Sequence, residues 1–119
     1  MASEPPTKVY GIGVDVPVGY LDRIMDAIDA VMEPVYPGYR RCFRYYEVTG
    51  TWKCEPGSHP FLGTPGEISV EKEYRLECLV REEDLRAVIG AIEKAHPFEE
   101  PAVDVYPEIP WRSLIPPSL

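Results

Sequence analysis

Apolar and polar residues along this chain fall into two patterns, each of which occurs twice. In residues 8–16, Tyr10, Ile12, Val14 and Val16 occupy every second position, the period of a strand with one buried face. The opposite face carries Gly11 and Gly13, bare enough for another backbone or a second subunit to approach. After Pro17 the period changes: Leu21, Ile24, Met25, Ile28, Val31 and Met32 form one helical stripe, which Pro34 and the Pro37–Gly38 pair end. Both patterns return 64 positions later. Tyr74, Leu76, Cys78 and Val80 alternate, and Leu85, Val88, Ile89 and Ile92 repeat the stripe in the same register.

Each half offers a further strand after its helix, the aromatic-rich Arg41–Val48 in the first and Ala102–Tyr106 in the second. The order βαββαβ predicts an α+β, ferredoxin-like sandwich, a four-stranded antiparallel sheet with two helices on one face. The other face must then be wet, covered by a partner, or covered by the tail. Prolines are absent between Pro37 and Pro56 and between Pro65 and Pro97, where this regular structure is expected. The long strand beginning at Ile68 and the glycine-lined first strand point to association through sheet edges and faces. Thr49–Glu67, with Gly50, Gly57, Gly63 and Gly66 among three prolines, is expected to be a long functional loop. The expected organisation is a flexible segment 1–7, one domain over 8–107, and a Pro-rich tail over 108–119. That tail, with Trp111, is expected to be non-helical and to lie extended over a neighbour.

Composition narrows this picture in three ways. Fourteen prolines and nine glycines in 119 residues stay below the level typical of disordered chains. A net charge of −8 argues against non-specific binding to nucleic acid. The first residues carry no basic and apolar leader, no apolar run has membrane-spanning length, and the three cysteines lack a CxxC pair. The expectation is a cytoplasmic protein with reduced thiols.

Three segments resemble one family: Gly57–Gly66, reading GSHPFLGTPG; Glu73–Glu77, reading EYRLE; and Ala95–Tyr106, reading AHPFEEPAVDVY. They are similar to the YqfO-type domain, which occurs alone and as an insert in the Nif-three-like proteins and is similar in fold to PII and CutA. The His96-Pro97-Phe98-Glu99 stretch is also similar to a turn of CutA, the divalent-cation tolerance protein. The resemblance spans about residues 8–107 and implies a ferredoxin-like fold with trimeric assembly. It does not imply the dinuclear metal site of the Nif-three-like proteins, which belongs to domains flanking the insert. Two features depart from the family pattern: the basic stretch Arg40–Tyr46, and Trp52 at a position where the family has Phe.

The residues that could carry chemistry each admit a structural and a functional reading. His96, at the end of the second helix, can be a locally hydrogen-bonded residue of a rigid turn fixed by Pro97 and Pro101, or a metal ligand with Glu99 and Glu100. Cys54 and His59 have a spacing that could supply two soft ligands, with Zn or Cu as the candidate divalent metals. Cys78 occupies a core position. Within Tyr39–Lys53, Arg40, Arg41, Arg44 and Lys53 interleave with Tyr39, Phe43, Tyr45, Tyr46 and Trp52. These cations either pair with acids of a neighbouring strand or hold a small anionic ligand, for which Arg40, Arg44, Trp52 and His59 are the candidate contacts. No catalytic residues stand out, since no nucleophile elbow, HExxH or phosphate-loop motif is present. The functional expectation is a non-enzymatic homo-oligomer of the PII/CutA type that binds a small ligand or metal ion, with the long loop meeting the His96–Glu100 turn at a subunit boundary. The rival expectations are a module that docks a protein partner through its tail and loop, and a CutA-like divalent-metal tolerance protein.

Overall fold

The computed structural model describes residues 8–116. Four strands and two helices follow in the order β1 (Val9–Pro17), α1 (Leu21–Asp29), β2 (Phe43–Lys53), β3 (Ile68–Arg81), α2 (Leu85–Ala95) and β4 (Val103–Glu108). All neighbouring strands are antiparallel and the sheet order is β2-β3-β1-β4, the ferredoxin-like arrangement the repeat predicts. The repeated strands lie side by side. Gly13 pairs with Glu77, its own counterpart in the second half, so β1 and β3 are related by a local two-fold axis through that pair.

One face of the sheet meets both helices. Ile12, Val14 and Val16 of β1 and Leu76, Cys78 and Val80 of β3 are buried against Ile24 and Ile28 of α1 and Val88 and Ile92 of α2. Burying each such side chain contributes on the order of 1.5–3 kcal/mol, which holds the two β-α halves together. The helical stripes are narrower than their periodicity suggests. Ile89 is exposed, and α1 stops at Asp29, leaving Val31 exposed beyond it. The Arg40 guanidinium supplies the reason for that stop: it donates to the carbonyls of Asp29 and Met32, satisfying groups that a longer helix would have used.

Four further expectations change. β2 runs to Lys53 because β3 is long and needs a partner along its length, so the connecting loop is Cys54–Glu67 rather than Thr49–Glu67. β4 continues through Pro107, which an edge strand tolerates because no further strand requires its missing donor. Gly11 and Gly13 do not leave a bare face. Added Cβ atoms there would overlap Tyr106 from β4 and Arg75 from β3, whose side chains cross the two glycines within the same chain. The tail is not wholly extended: Trp111–Leu114 form one short 3-10 turn, closed by Ser113 donating to the Pro110 carbonyl. Ile109, Trp111, Leu114 and Ile115 remain exposed on it. The segment 1–7, expected to be flexible, lies outside the described residues. Among the described residues no helix is long and apolar enough to cross a membrane.

Candidate functional site

The exit of β1, the loop after β2 and the turn between α2 and β4 meet at one end of the sheet, over the face opposite the helices. The turn is fixed by His96. Its Nε2 lies 2.7 Å from the Asp15 carbonyl, and its Nδ1 accepts the Phe98 N–H at 3.1 Å. Those partners set the tautomer, with the proton on Nε2. His96 as a residue is 6% exposed, and burial lowers its pKa below the ordinary histidine value, against a smaller opposing pull from Asp15. His96 is thus a neutral bracket between β1 and the turn, and both of its nitrogens are occupied. Among the described residues no group of three or more His, Cys, Asp and Glu side chains is arranged to hold a metal ion. Glu99 accepts the backbone N–H of His59 at 2.7 Å, while Cys54 is buried beneath the loop and the His59 residue is exposed. Of the residues proposed as a metal set, Glu99 joins the loop to the turn, His96 joins β1 to the turn, and Cys54 is buried where β2 enters the loop.

That junction forms within one chain. Besides the His59–Glu99 bond, aromatic rings bridge it: Phe61 contacts Tyr20 and Phe98, with ring centroids 5.5 and 6.1 Å apart, and Phe98 contacts Trp52 at 5.7 Å. The loop itself is closed by the Gly66 N–H donating to the Cys54 carbonyl. Between loop and turn lies a cleft of about 430 Å³, with aromatic walls from Trp52, Phe61 and Phe98.

Glu73 of β3 lines this cleft and is 4% exposed. Its carboxylate makes no hydrogen bond or ion pair among the described residues. Burial raises its pKa above the usual carboxylate value, and the neighbouring charges of Asp15 and Glu71 add to the effect. Gly50, on the adjacent strand, makes the room: an added Cβ would overlap Glu73 Oε1. Asp15 in the same lining is already engaged, accepting from Arg75 at 3.1 Å, and Arg75 also binds Asp104. Sequence reasoning missed Glu73 and Gly50 as a pair. A glycine inside a strand signals a close approach, but Gly50 had been assigned to the loop, and the alternation placed Glu73 on the face without apolar residues.

The four residues expected to hold a ligand are divided between two places. Trp52 and the loop carrying His59 belong to the cleft above Glu73. Arg40 and Arg44 line a second cleft of about 320 Å³, between the end of α1 and the start of β2. The arginines there are partnered: Arg40 with Asp29 and Glu33, Arg41 with Asp26 and Asp29, Arg44 with Glu77. The basic stretch is thus largely neutralised by acids of α1 and β3 and by Glu33 just beyond α1. All three cysteines are free thiols, and burial pushes the Cys78 thiol up to about 12, in keeping with its core position.

Comparison with known proteins agrees with this architecture. The chain is 33% identical over 107 residues to a GTP cyclohydrolase 1 type 2 homolog of Halalkalibacterium halodurans, matching 90% of this chain and 29% of that protein. It is 34% identical over 96 residues to the Bacillus subtilis protein of the same name, matching 81% of this chain and 26% of the relative. The chain thus spans less than a third of the length of these curated relatives. No family model matches it. Among solved structures, a Bacillus cereus protein related to NIF3 superposes with a TM-score of 0.73 at 28% identity, over 91% of this chain and 27% of that one. CutA from Synechococcus elongatus superposes with a TM-score of 0.63 at 15% identity, over 89% and 81% of the two chains. GlnK of B. subtilis superposes with a TM-score of 0.58 at 10% identity, over 85% of each. This chain is accordingly a small α+β module similar in sequence to one segment of the NIF3-related, YqfO-type proteins, with the fold of CutA and the PII-like proteins.

Proposed function

We propose that this chain acts by binding rather than by catalysis, as an oligomeric sensing or regulatory module whose ligand seat is the cleft between the Cys54–Glu67 loop and the turn after α2. The single observation that carries the reading is Glu73, a residue 4% exposed whose carboxylate lines an aromatic-walled cleft and makes no hydrogen bond or ion pair among the described residues. A charge removed from water without a partner is destabilising, and such groups concentrate where a ligand completes the site. Two features support assembly. The distal part of β3 pairs only with β2, and its Ile68 and Val70 are 72% and 63% exposed on the helix side of the sheet, beyond the reach of either helix. An apolar strip of that kind is suited to a second subunit, and the likeness to CutA and the PII-like fold favours a trimer. Light scattering coupled to size exclusion tests the assembly, and a clean monomer would count against it. The seat is tested by thermal-shift screening of charged and neutral small molecules, with Trp52 emission as the local reporter. If no compound raises the melting temperature and alters Trp52 emission together, the seat is wrongly placed.

A second reading, docking of a protein partner, is favoured by exposed Ile109, Trp111, Leu114 and Ile115 on the tail. Removing residues 109–119 separates the two: a ligand seat over Glu73 keeps its affinity, whereas a docking module loses its partner.

A further inference from the structure

The chemistry around Glu73 narrows the class of ligand. Its carboxylate lines the cleft, and Gly50 leaves space for it in place of a side chain. Besides Glu73, the lining carries Asp15, Glu55, Glu99 and Glu100, against Lys53 as the one cation. Asp15 is neutralised by Arg75, Glu99 is occupied by the His59 amide, and Glu55 and Glu100 are exposed, so Glu73 is the acid of this lining carried on a buried residue and making no hydrogen bond or ion pair among the described residues. Lys53 is exposed and makes no ion pair among the described residues. An anion would meet this acidic lining with no buried cation to receive it. Against a metal ion, the described residues contain no group of three or more His, Cys, Asp and Glu side chains arranged to hold one. The aromatic faces of Trp52, Phe61 and Phe98 attract an ammonium group and stack on a flat apolar body.

We propose that the cleft binds a small protonated amine with a flat apolar body, its ammonium donating to the Glu73 carboxylate and its body lying between Trp52, Phe61 and Phe98. The inference rests on the reading of this cleft as the ligand seat. It accounts for a carboxylate kept in the cleft with no counter-charge: the ammonium supplies it and restores the ionised form that burial and the Asp15 and Glu71 charges disfavour.

The test uses three probes with one ring and different charge: benzylamine, benzyl alcohol and benzoate. Binding is read by calorimetry on the unaltered chain and by emission in a Trp111→Phe variant, which leaves Trp52 as the single tryptophan. Benzylamine is expected to bind at least about tenfold more tightly than benzyl alcohol, with benzoate weaker still. Glu73→Gln is expected to weaken benzylamine by about tenfold or more while leaving benzyl alcohol nearly unchanged. Gly50→Ala, which forces the carboxylate aside, should lower amine affinity independently of the charge change. Benzoate or benzyl alcohol binding as tightly as benzylamine overturns the amine assignment and leaves the seat standing. Full benzylamine affinity in Glu73→Gln also overturns it. Failure of all three probes, together with an empty thermal-shift screen, removes the seat itself.

Discussion

His96→Phe is the substitution whose consequence follows most directly from the geometry. Phenylalanine keeps the flat ring and its edge contact with Phe98, 5.0 Å between centroids, but carries neither nitrogen. The Asp15 carbonyl loses a donor at 2.7 Å and the Phe98 N–H loses an acceptor at 3.1 Å. Each orphaned group costs about 1–3 kcal/mol, so the variant should lose about 2–6 kcal/mol at pH 7.5, where the native imidazole is neutral. For 119 residues the unfolding entropy is on the order of 0.25 kcal/mol/K, which makes this a fall of roughly 8–24 °C in Tm. The pH dependence has a fixed sign. Burial lowers the folded pKa of His96 below its unfolded value, so this residue's contribution is complete above the unfolded value near 6.5 and is lost as pH falls through the folded value. The gap between the native chain and His96→Phe must therefore narrow from pH 7.5 to pH 5. Urea unfolding of both at fixed protein concentration, at several pH values, measures it. A loss below about 0.5 kcal/mol at pH 7.5, less than even one orphaned group should cost, would refute the bracket. A gap that widens toward pH 5 would refute the neutral tautomer.

Three further outcomes follow from named contacts. Glu73→Gln should raise Tm at neutral pH, because the folded pKa of Glu73 is raised and its stabilising share is present only below the unfolded value of about 4.5; the gain should vanish near pH 4, and a gain independent of pH would contradict the buried charge. Gly50→Ala should destabilise through overlap with Glu73, and Glu73→Ala should recover most of that loss in the double variant; strict additivity in the cycle would rule the contact out. Ile92→Ala removes a fully buried side chain between α2 and the sheet and should cost about 2–5 kcal/mol in chemical denaturation, whereas Ile89→Ala, on the exposed side of the same helix, should cost well under half of that.

The sequence by itself determined the fold. Strand and helix periods are local, and their recurrence in one register gave two β-α halves, the buried residues Ile12, Val14, Val16, Leu76 and Val80, and the antiparallel order of the sheet. The local readings were poorer at edges, because an edge is decided by partners distant in the chain. β2 reaches Lys53 since β3 lies beside it, α1 ends at Asp29 since Arg40 caps it from eleven residues away, and Gly11 and Gly13 are covered by Tyr106 and Arg75. The site was legible only in parts. The His96 turn and the loop were visible as candidate segments, and so was their meeting, but the bonds that join them within one chain were not. Glu73 entered the sequence reading only as the first residue of the EYRLE segment, with nothing to mark it as a site residue, since an acid at an outward strand position reads as solvated until the loop folds over it. Only the tertiary structure could turn that ordinary acid into a buried residue lining an aromatic cleft, because burial depends on what covers a residue, and the covering groups come from three separate stretches of the chain.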